Sequence, residues 1–452
     1  MQKPSANAST TTRGVDSREA WIIATAALLV LAIAFGAPYI VTVSLKNIAA
    51  EHGGERSIPA GANALAWLGT GIGGLAMGLV AERVGVRWTT TFGAIMVCLG
   101  LTLSSFGAAW QLYIGHGLLL GMLGTGAVNA PLYVYVSRWF EARRGTAMAL
   151  ISSGQYIAGA VWPPIFERTI SIWGWRQTML GFGILVACLV APLALTIFAS
   201  PPVSPHDTPT NQTAAGDKAA SRAKTFGLPP NVLFVALAVA SFLCCTPMAM
   251  PSAHLIAFCG DLGMVPAKGA AMLSLLLVCA FLSRQFWGWL SDRVGGLITL
   301  LICSAAQAMG VLGFMLTQDE AGLFAVAAGF GLGFSGLIPA YLLTAREVFP
   351  ASQAPWRMPA LLLTGTTGMA TGGWMGGVIY DKFGSYYPAF GTGLAANIAN
   401  FAILLVLVII ARVYVLRHRP TPSGPLPRRL AALTAINGCT GESGLGAAHP
   451  ER

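Results

Sequence analysis

Charged residues are scarce in this chain of 452 residues: they make up 10% of it, whereas hydrophobic residues make up 55%. Soluble domains carry about 25% charged residues, so this composition excludes an ordinary soluble protein. The sequence therefore predicts an integral membrane protein.

Several signatures of catalytic and cofactor sites are missing. The eight cysteines show no CxxC spacing, so neither a disulfide framework nor a metal site is predicted, and no cofactor is expected. No GxxxxGK[ST] loop occurs, which argues against ATP-driven chemistry. No nucleophile–base pair falls within the apolar segments, so we do not expect an enzyme.

Apolar runs of about 20 residues recur twelve times, and each is long enough to cross a bilayer as a helix. The predicted spans are residues 20–43, 58–80, 88–108, 110–136, 145–165, 176–198, 230–257, 267–291, 297–316, 320–344, 358–380 and 387–411. We therefore predict an all-α membrane protein with twelve transmembrane helices in two pseudo-symmetric six-helix bundles.

A stretch rich in Pro, Thr, Ala and Ser separates the sixth and seventh spans, and it is too polar to bury a core. It predicts a linker between two halves. The expected organisation is an N-terminal tail (1–19), an N-terminal bundle (20–199), a linker (200–229), a C-terminal bundle (230–411) and a C-terminal tail (412–452).

The net charge of +10 is distributed unevenly. Of the 27 Lys and Arg residues, 20 fall on one predicted side of the membrane, six on the other, and one within a span. The positive-inside rule then places both termini and the linker in the cytoplasm, with the basic tail against membrane lipids. No soluble basic domain exists to bind nucleic acid.

The charge within a span is Arg284. A guanidinium at that depth costs about 2.5 to 3.5 kcal/mol and does not lose its proton. We expect Arg284 to face a cavity or a partner and to hold an anionic substrate. The alternative is a structural cation that snorkels to the cytoplasm or caps backbone carbonyls.

One motif occurs twice, once in each half. GLVAERVGVR begins at Gly78 and GWLSDRVGG begins at Gly288, 210 residues later. Each copy follows the second helix of its half, and such repeats are typical of transporters with a site between the halves. The motif positions are Gly78, Glu82, Arg83, Gly85, Arg87, Gly288, Asp292, Arg293 and Gly295.

This doubled motif resembles the signature of the major facilitator superfamily, and the resemblance covers residues 20 to 411. It implies that Glu82, Arg83, Asp292 and Arg293 help to lock the cytoplasmic side closed. The first copy has Glu where the family usually has Asp, and the second lacks the final basic residue. A simple positive-inside anchor is the alternative interpretation.

Two further stretches, 137–159 and 376–386, resemble bacterial monocarboxylate carriers and oxalate:formate antiporters. In those carriers an arginine in helix 8 binds carboxylate, and Arg284 matches its position. Animal relatives have an acidic residue where this chain has Ala280 and a lysine where it has Tyr39. The oxalate antiporter has a second cation in helix 11, but here no Lys or Arg occurs between Thr364 and Tyr380. One positive charge favours a monoanion.

Other polar side chains within the spans are candidate ligands. His254 is suited to proton exchange because its reference pKa lies near 6.5. Polar and aromatic side chains of helices 1, 4, 5 and 10 could bind a carboxylate or hydroxyl, or could equally join helices together. They are Tyr39, Asn129, Tyr133, Gln155, Tyr156 and Tyr341.

The resemblance predicts a secondary transporter of a small organic anion, with a monocarboxylate as substrate and protons as the coupling ion. Exchange against a counter-anion is the alternative, because an unpaired Arg284 would resist returning empty. A non-transporting membrane sensor with the same fold is a further alternative. We expect a multi-pass protein of the bacterial inner membrane.

Overall fold

The computed structural model describes residues 14–140, 143–198, 226–349 and 353–417. Within them the chain forms twelve long helices, as predicted. They are α1 (Arg18–Val43), α2 (Ser57–Val84), α3 (Val86–Ser105), α4 (Ala109–Ser137), α5 (144–173), α6 (175–197), α7 (Pro230–Asp261), α8 (Pro266–Val294), α9 (Gly296–Leu316), α10 (Glu320–Val348), α11 (Ala354–Phe383) and α12 (Tyr387–Arg417).

Four of these helices are irregular within their length, and one of them is α5, which is interrupted at Ser153. A turn at Phe35 interrupts α1, and α10 is interrupted between Phe334 and Leu337. The middle of α4, from Ile114 to Thr125, has the wider turns of a π-helix. Such departures from α-helical geometry are frequent at functional sites.

Length and hydropathy alone mark ten stretches as able to cross a membrane. Helices α5 and α6 count as one of them, because the chain continues almost directly through Gly174, whose φ of 81° breaks the helix. Helix α11 is not among the ten. The protein is therefore a multi-pass membrane protein, and the part of the chain that the structure describes contains twelve long helices.

Two separate hydrophobic cores hold the two bundles together. One core is built from α1 to α6 and includes Trp139 and Phe166, and the other is built mainly from α7 to α12 and includes Phe314 and Phe390. The predicted two-bundle architecture is confirmed. The predicted linker and C-terminal tail lie almost entirely outside the described residues.

The bundles meet where α2 packs on α11 and where α5 packs on α8, and glycines allow both approaches. A Cβ on Gly71 of α2 would overlap the Thr366 hydroxyl of α11. A Cβ on Gly159 of α5 would overlap Leu277 of α8. The halves thus touch through small residues, which let helix backbones come close.

The two copies of the repeated motif form the same turn. Gly85 joins α2 to α3 with φ 93° and ψ 147°, and Gly295 joins α8 to α9 with φ 86° and ψ 160°. Side chains with a Cβ rarely adopt this positive φ, so glycine is required at both positions. These turns lie at the end of the molecule where α1 begins and α12 ends, here called the tail side; the opposite end is the far side.

Candidate functional site

Arg284 faces the opposite bundle. Its guanidinium carbon lies 5.0 Å from the centre of the Tyr156 ring on α5, and this ring lies 6.3 Å from that of Phe334. A cation over an aromatic face gains about 0.5 to 2 kcal/mol. Among the described residues, none forms a hydrogen bond or ion pair with the half-buried guanidinium. Arg284 therefore retains free N–H donors between the bundles.

One more predicted residue lies near this arginine, and two others bond to each other on α4 and α5. Tyr133 on α4 lies within electrostatic range of Arg284 and Tyr156. One residue before Tyr156, the Gln155 amide donates a hydrogen bond of 3.4 Å to the Asn129 side-chain oxygen. Arg284 of α8 thus lies near the tyrosines of α4 and α5, and a positive charge with hydroxyl groups is the chemistry that a carboxylate requires.

A narrow cavity lies between the bundles and includes two of the predicted residues, Tyr39 and Gln155. Its lining comes from α1, α2, α5, α7 and α11 and carries no charged side chain. The Tyr39 hydroxyl lies against Gly159, where Leu277 of α8 also meets this glycine. Tyr39 therefore stands where the cavity adjoins the contact between α5 and α8.

His254 is fully buried on α7, and both of its ring nitrogens have partners. Nε2 lies 2.7 Å from the Gly373 carbonyl, which can only accept, so Nε2 carries the proton. Nδ1 lies 3.1 Å from the Tyr386 hydroxyl and accepts from it. The Tyr386 oxygen in turn accepts a 3.0 Å hydrogen bond from Arg56. His254 is thus a neutral group linked to a charged one.

Arg56 belongs to a cluster of charges on the far side that sequence analysis did not predict. It forms a bidentate pair with Asp261 at 2.6 and 2.7 Å, and Lys46 reaches the same carboxylate at 2.8 Å. Asp381 accepts from the backbone N–H groups of Arg56 and Ser57 at 2.7 and 2.9 Å.

The cluster joins the two halves, because Lys46 and Arg56 precede α2 whereas the two carboxylates end α7 and α11. We call Lys46, Arg56, Asp261, Asp381 and Tyr386 the far-side latch. The sequence indicates this latch only in that its charged residues lie at the ends of predicted spans. Since the paired residues are 205 and 325 positions apart, sequence spacing could not reveal the pairing.

Tyr341 lies in a different environment, inside the C-terminal bundle. Its hydroxyl donates to Asn400 at 2.9 Å, and Asn400 donates to Ser304 at 2.9 Å. Ser304 and Gln307 each bond to Asn397, which extends this buried network between α9, α10 and α12. Tyr341 thus joins helices and is not among the residues that line the cavity.

The charged motif residues lie at the tail side. Glu82 pairs at 3.7 Å with Arg138 at the end of α4, within its own half. The Arg87 guanidinium lies over Trp88 and that of Arg293 over Trp289, at 5.2 and 4.0 Å. Arg83 and Asp292 are exposed. Gly78 and Gly288 have open space where a Cβ would lie.

Known transporters resemble this chain in sequence. "Monocarboxylate transporter 13" of Rattus norvegicus is 26% identical over 331 residues, which cover 73% of this chain and 74% of that protein. An "MFS-type transporter" of Gibberella moniliformis is 21% identical and covers 76% of this chain and 79% of its own. Both are eukaryotic.

Solved structures share the fold. A bacterial homologue of the human lysosomal transporter Spinster, inward-facing and unoccupied, covers 90% of this chain and all of its own, with 15% identity and a TM-score of 0.60. The peptide transporter POT in complex with sulfate covers 87% and 94%, with 14% identity and a TM-score of 0.66.

The family profile described as Major Facilitator Superfamily matches residues 26–355. The doubled motif, the twelve helices and the two bundles agree with this match, and the proteins named above are transporters rather than enzymes. The chain is a transporter of the Major Facilitator Superfamily.

Proposed function

We propose that this protein carries a small organic monocarboxylate across the membrane by alternating access, coupled to protons. One observation carries the proposal: Arg284 points across the interface between the bundles without a carboxylate partner among the described residues. A substrate carboxylate would supply the missing partner. The sequence similarity to a protein named as a monocarboxylate transporter supports the same substrate class.

The carboxylate would pair with Arg284 and accept hydrogen bonds from the hydroxyls of Tyr133 and Tyr156. Pairing would neutralise the guanidinium, which lowers the cost of closing the bundles around it. The loaded protein could then rock between states that open to either side, whereas the empty protein would do so less readily. Arg284 would thus couple substrate binding to movement.

Coupling to protons would allow the empty protein to return to its starting state. His254 is the candidate proton acceptor. Its Nδ1 holds only the hydrogen of the Tyr386 hydroxyl, which can turn away to leave this nitrogen free. Exchange against another anion is the alternative coupling, because the unpaired Arg284 is best neutralised by a second anion on the return step.

We further propose that the tail side faces the cytoplasm of a bacterial cell and that the membrane is the inner membrane. The excess of Lys and Arg in the tail-side segments supports this orientation. In this orientation the far-side latch closes the external face, and Glu82, Arg83, Asp292 and Arg293 would lock the opposite face at another stage of the cycle.

The test is uptake of radiolabelled lactate into proteoliposomes that contain the purified protein. We expect Arg284→Gln to lower kcat/KM by about 10- to 100-fold, because a hydrogen bond to a charged group contributes about 1.5 to 3 kcal/mol. Arg284→Lys keeps the charge but loses the bidentate geometry, so its loss should be intermediate.

Arg168→Gln is the matched control, since Arg168 is an exposed arginine at the end of α5. It should transport as the wild type does. Carboxylate uptake that stays undiminished in Arg284→Gln would refute the proposed role of this arginine.

A further inference from the structure

We propose that a cavity on the tail side of the N-terminal bundle binds the phosphate group of an anionic phospholipid from the surrounding membrane. This tail-side cavity lies between the ends of α2, α3, α4 and α6. Its volume is about 180 Å³, whereas about 15 Å³ is enough for one water molecule. A phosphate group therefore fits. No residue lines both this cavity and the one between the bundles, so the proposal does not depend on which substrate is carried.

Two arginines and one glutamate line the tail-side cavity, which gives the lining a net charge of +1. Arg138 at the end of α4 lies 3.7 Å from Glu82, which is too long for a hydrogen bond. Arg87 at the start of α3 lies over the Trp88 ring and has no ion-pair partner among the described residues. Guanidinium groups bind phosphate oxygens in bidentate geometry. A phosphodiester, which carries one negative charge, matches this lining.

The C-terminal half has an anion at the corresponding place. There the Glu347 carboxylate accepts a 3.2 Å hydrogen bond from the N–H of Gly296, the first residue of α9. Counting back 210 residues, the spacing of the repeated motif, turns these positions into Ser137 and Val86. The Ser137 hydroxyl bonds to the Val134 carbonyl, and among the described residues nothing accepts from the Val86 N–H. The N-terminal half thus leaves room for an external anion where the other half supplies its own.

The position of the tail-side cavity favours a lipid as the source of the phosphate. Exposed apolar side chains lie among and beside the lining residues, on α2, α3 and α4; they are Leu79, Val84, Trp88 and Val134. Tryptophan in a membrane protein is enriched at the level of the lipid headgroups. The cavity therefore adjoins both the headgroups and the acyl chains. An anionic glycerophospholipid would place its phosphate in the cavity and its acyl chains along these apolar side chains.

The experiment titrates the purified protein in detergent with dioleoylphosphatidylglycerol, and native mass spectrometry counts the bound lipid molecules. We expect one phosphatidylglycerol to bind more tightly than the rest, and more tightly than phosphatidylcholine, whose headgroup adds a positive charge. Arg138→Gln should weaken this binding about 5-fold, the effect of one basic residue near an anionic headgroup. Arg83→Gln is the control, because Arg83 is exposed on the same side but does not line the cavity. It should bind the lipid as the wild type does.

An uncharged change tests the cavity itself. Gly78 lines the tail-side cavity and has open space where a Cβ would lie, so the fold can accept Gly78→Leu, whose side chain would occupy the space of the ligand. This variant should weaken phosphatidylglycerol binding by about 5-fold or more. Gly288→Leu is the matched control, since Gly288 has the same place in the second motif and the same open space but does not line the cavity.

Three results would overturn the site. Equal affinity for phosphatidylglycerol and phosphatidylcholine would remove the charge match. An equal loss in Arg83→Gln and Arg138→Gln would show that the lipid responds only to the general positive charge of the tail side. Unchanged binding in Gly78→Leu would show that the lipid does not enter the cavity. Displacement of the tightly bound lipid by inorganic phosphate would assign the site to a free phosphate and so refute its assignment to a lipid.

Discussion

The buried side chain of His254 links the cavity between the bundles to the far-side latch. On one side its Nε2–H is fixed by the Gly373 carbonyl, and Gly373 lines the cavity. On the other side its Nδ1 is linked through the Tyr386 hydroxyl to Arg56 in the far-side latch. A proton on Nδ1 would force the Tyr386 hydroxyl to release this nitrogen. The charged imidazole would then face Arg56, which would weaken the latch.

We expect His254→Gln to abolish the dependence of lactate uptake on an imposed pH gradient while lactate counterflow without a gradient persists. The reason is that glutamine can hydrogen-bond but cannot take up a proton. His52→Gln is the control, because His52 is a partly exposed histidine that bonds to the Ile48 carbonyl. A gradient response equal to that of the wild type would exclude His254 as the proton acceptor.

At the scale of residues, a side chain can be singled out from the sequence where its energetic cost is visible in one segment. Arg284 could be singled out because a charge in a span demands a partner. The sequence does not single out Asn63, and it makes Tyr341 a candidate ligand. That the first lacks a partner and the second has Asn400 depends on helices distant in sequence, so only the structure separates them.

The contact between α2 and α11 shows how helices of the two bundles approach each other. Gly71 lies against Thr366, and a Cβ on Gly377 would come within 2.8 Å of the Ala60 Cβ. The contact is therefore made by small side chains along both helices. Such a surface can slide without the interlocking of large side chains, which suits the rocking of the bundles that the proposed alternating access would require.

Gly71→Val should therefore force α2 and α11 apart. Overpacking costs about 1 to 3 kcal/mol, so we expect a lower Tm of the purified protein and transport reduced about 5- to 100-fold. The second change Thr366→Ala should restore part of both, because it removes the atoms that the valine would overlap.

Gly181→Val on α6 is the control for this prediction, since Gly181 has open space where its Cβ would lie. Equal effects of Gly71→Val and Gly181→Val would show that the contact with Thr366 is not the cause.

Most helices were predictable because a bilayer requires about 20 apolar residues in each. The residues at which the helices end were less predictable. Helix α2 runs to Val84 and α8 to Val294, so both extend into the polar motif, where hydropathy no longer marks the helix. Helix α5 continues to residue 173, beyond its predicted end at 165; its last turns contain Glu167 and Arg168, so hydropathy no longer marks the helix there.

Across the whole molecule, the far-side latch is a polar connection between the halves that closes one end. The Arg56 side chain at its centre is 8% exposed, whereas the side chain of Asp261 is 24% exposed. A bidentate pair in such a partly buried position is stronger than one on an open surface. Under the proposed alternating access, opening the far side would require these bonds to break, so their strength would set the balance between the two open states.

We expect Asp261→Asn to shift the protein toward the state that is open on the far side, since Arg56 loses a charged partner worth about 1.5 to 3 kcal/mol. The measurement is the labelling rate of Thr42→Cys by a membrane-impermeant thiol reagent, in a variant whose native cysteines are replaced. Thr42 lines the cavity, so labelling from the far side should accelerate about 10- to 100-fold.

Glu51→Gln is the matched control for the latch. Glu51 also lies on the far side, but its partners Trp175 and Arg176 belong to the same half. The hydrogen bond from Arg176 lowers the pKa of the Glu51 carboxyl, so this ion pair stays intact at neutral pH. Faster labelling in both variants, or in neither, would contradict the role assigned to the latch.

The division of the chain into two bundles was predictable from the repeat, whereas the contacts between the bundles were not. One of these contacts has a further consequence. Asp381 of α11 accepts the N–H groups of Arg56 and Ser57, and so completes the first turn of α2 from the other half of the protein. In the proposed transport cycle, these two amides would lose their acceptor when the far side opens. Each cycle would then include fraying and re-forming of a transmembrane helix at its end, and water would take the place of the carboxylate.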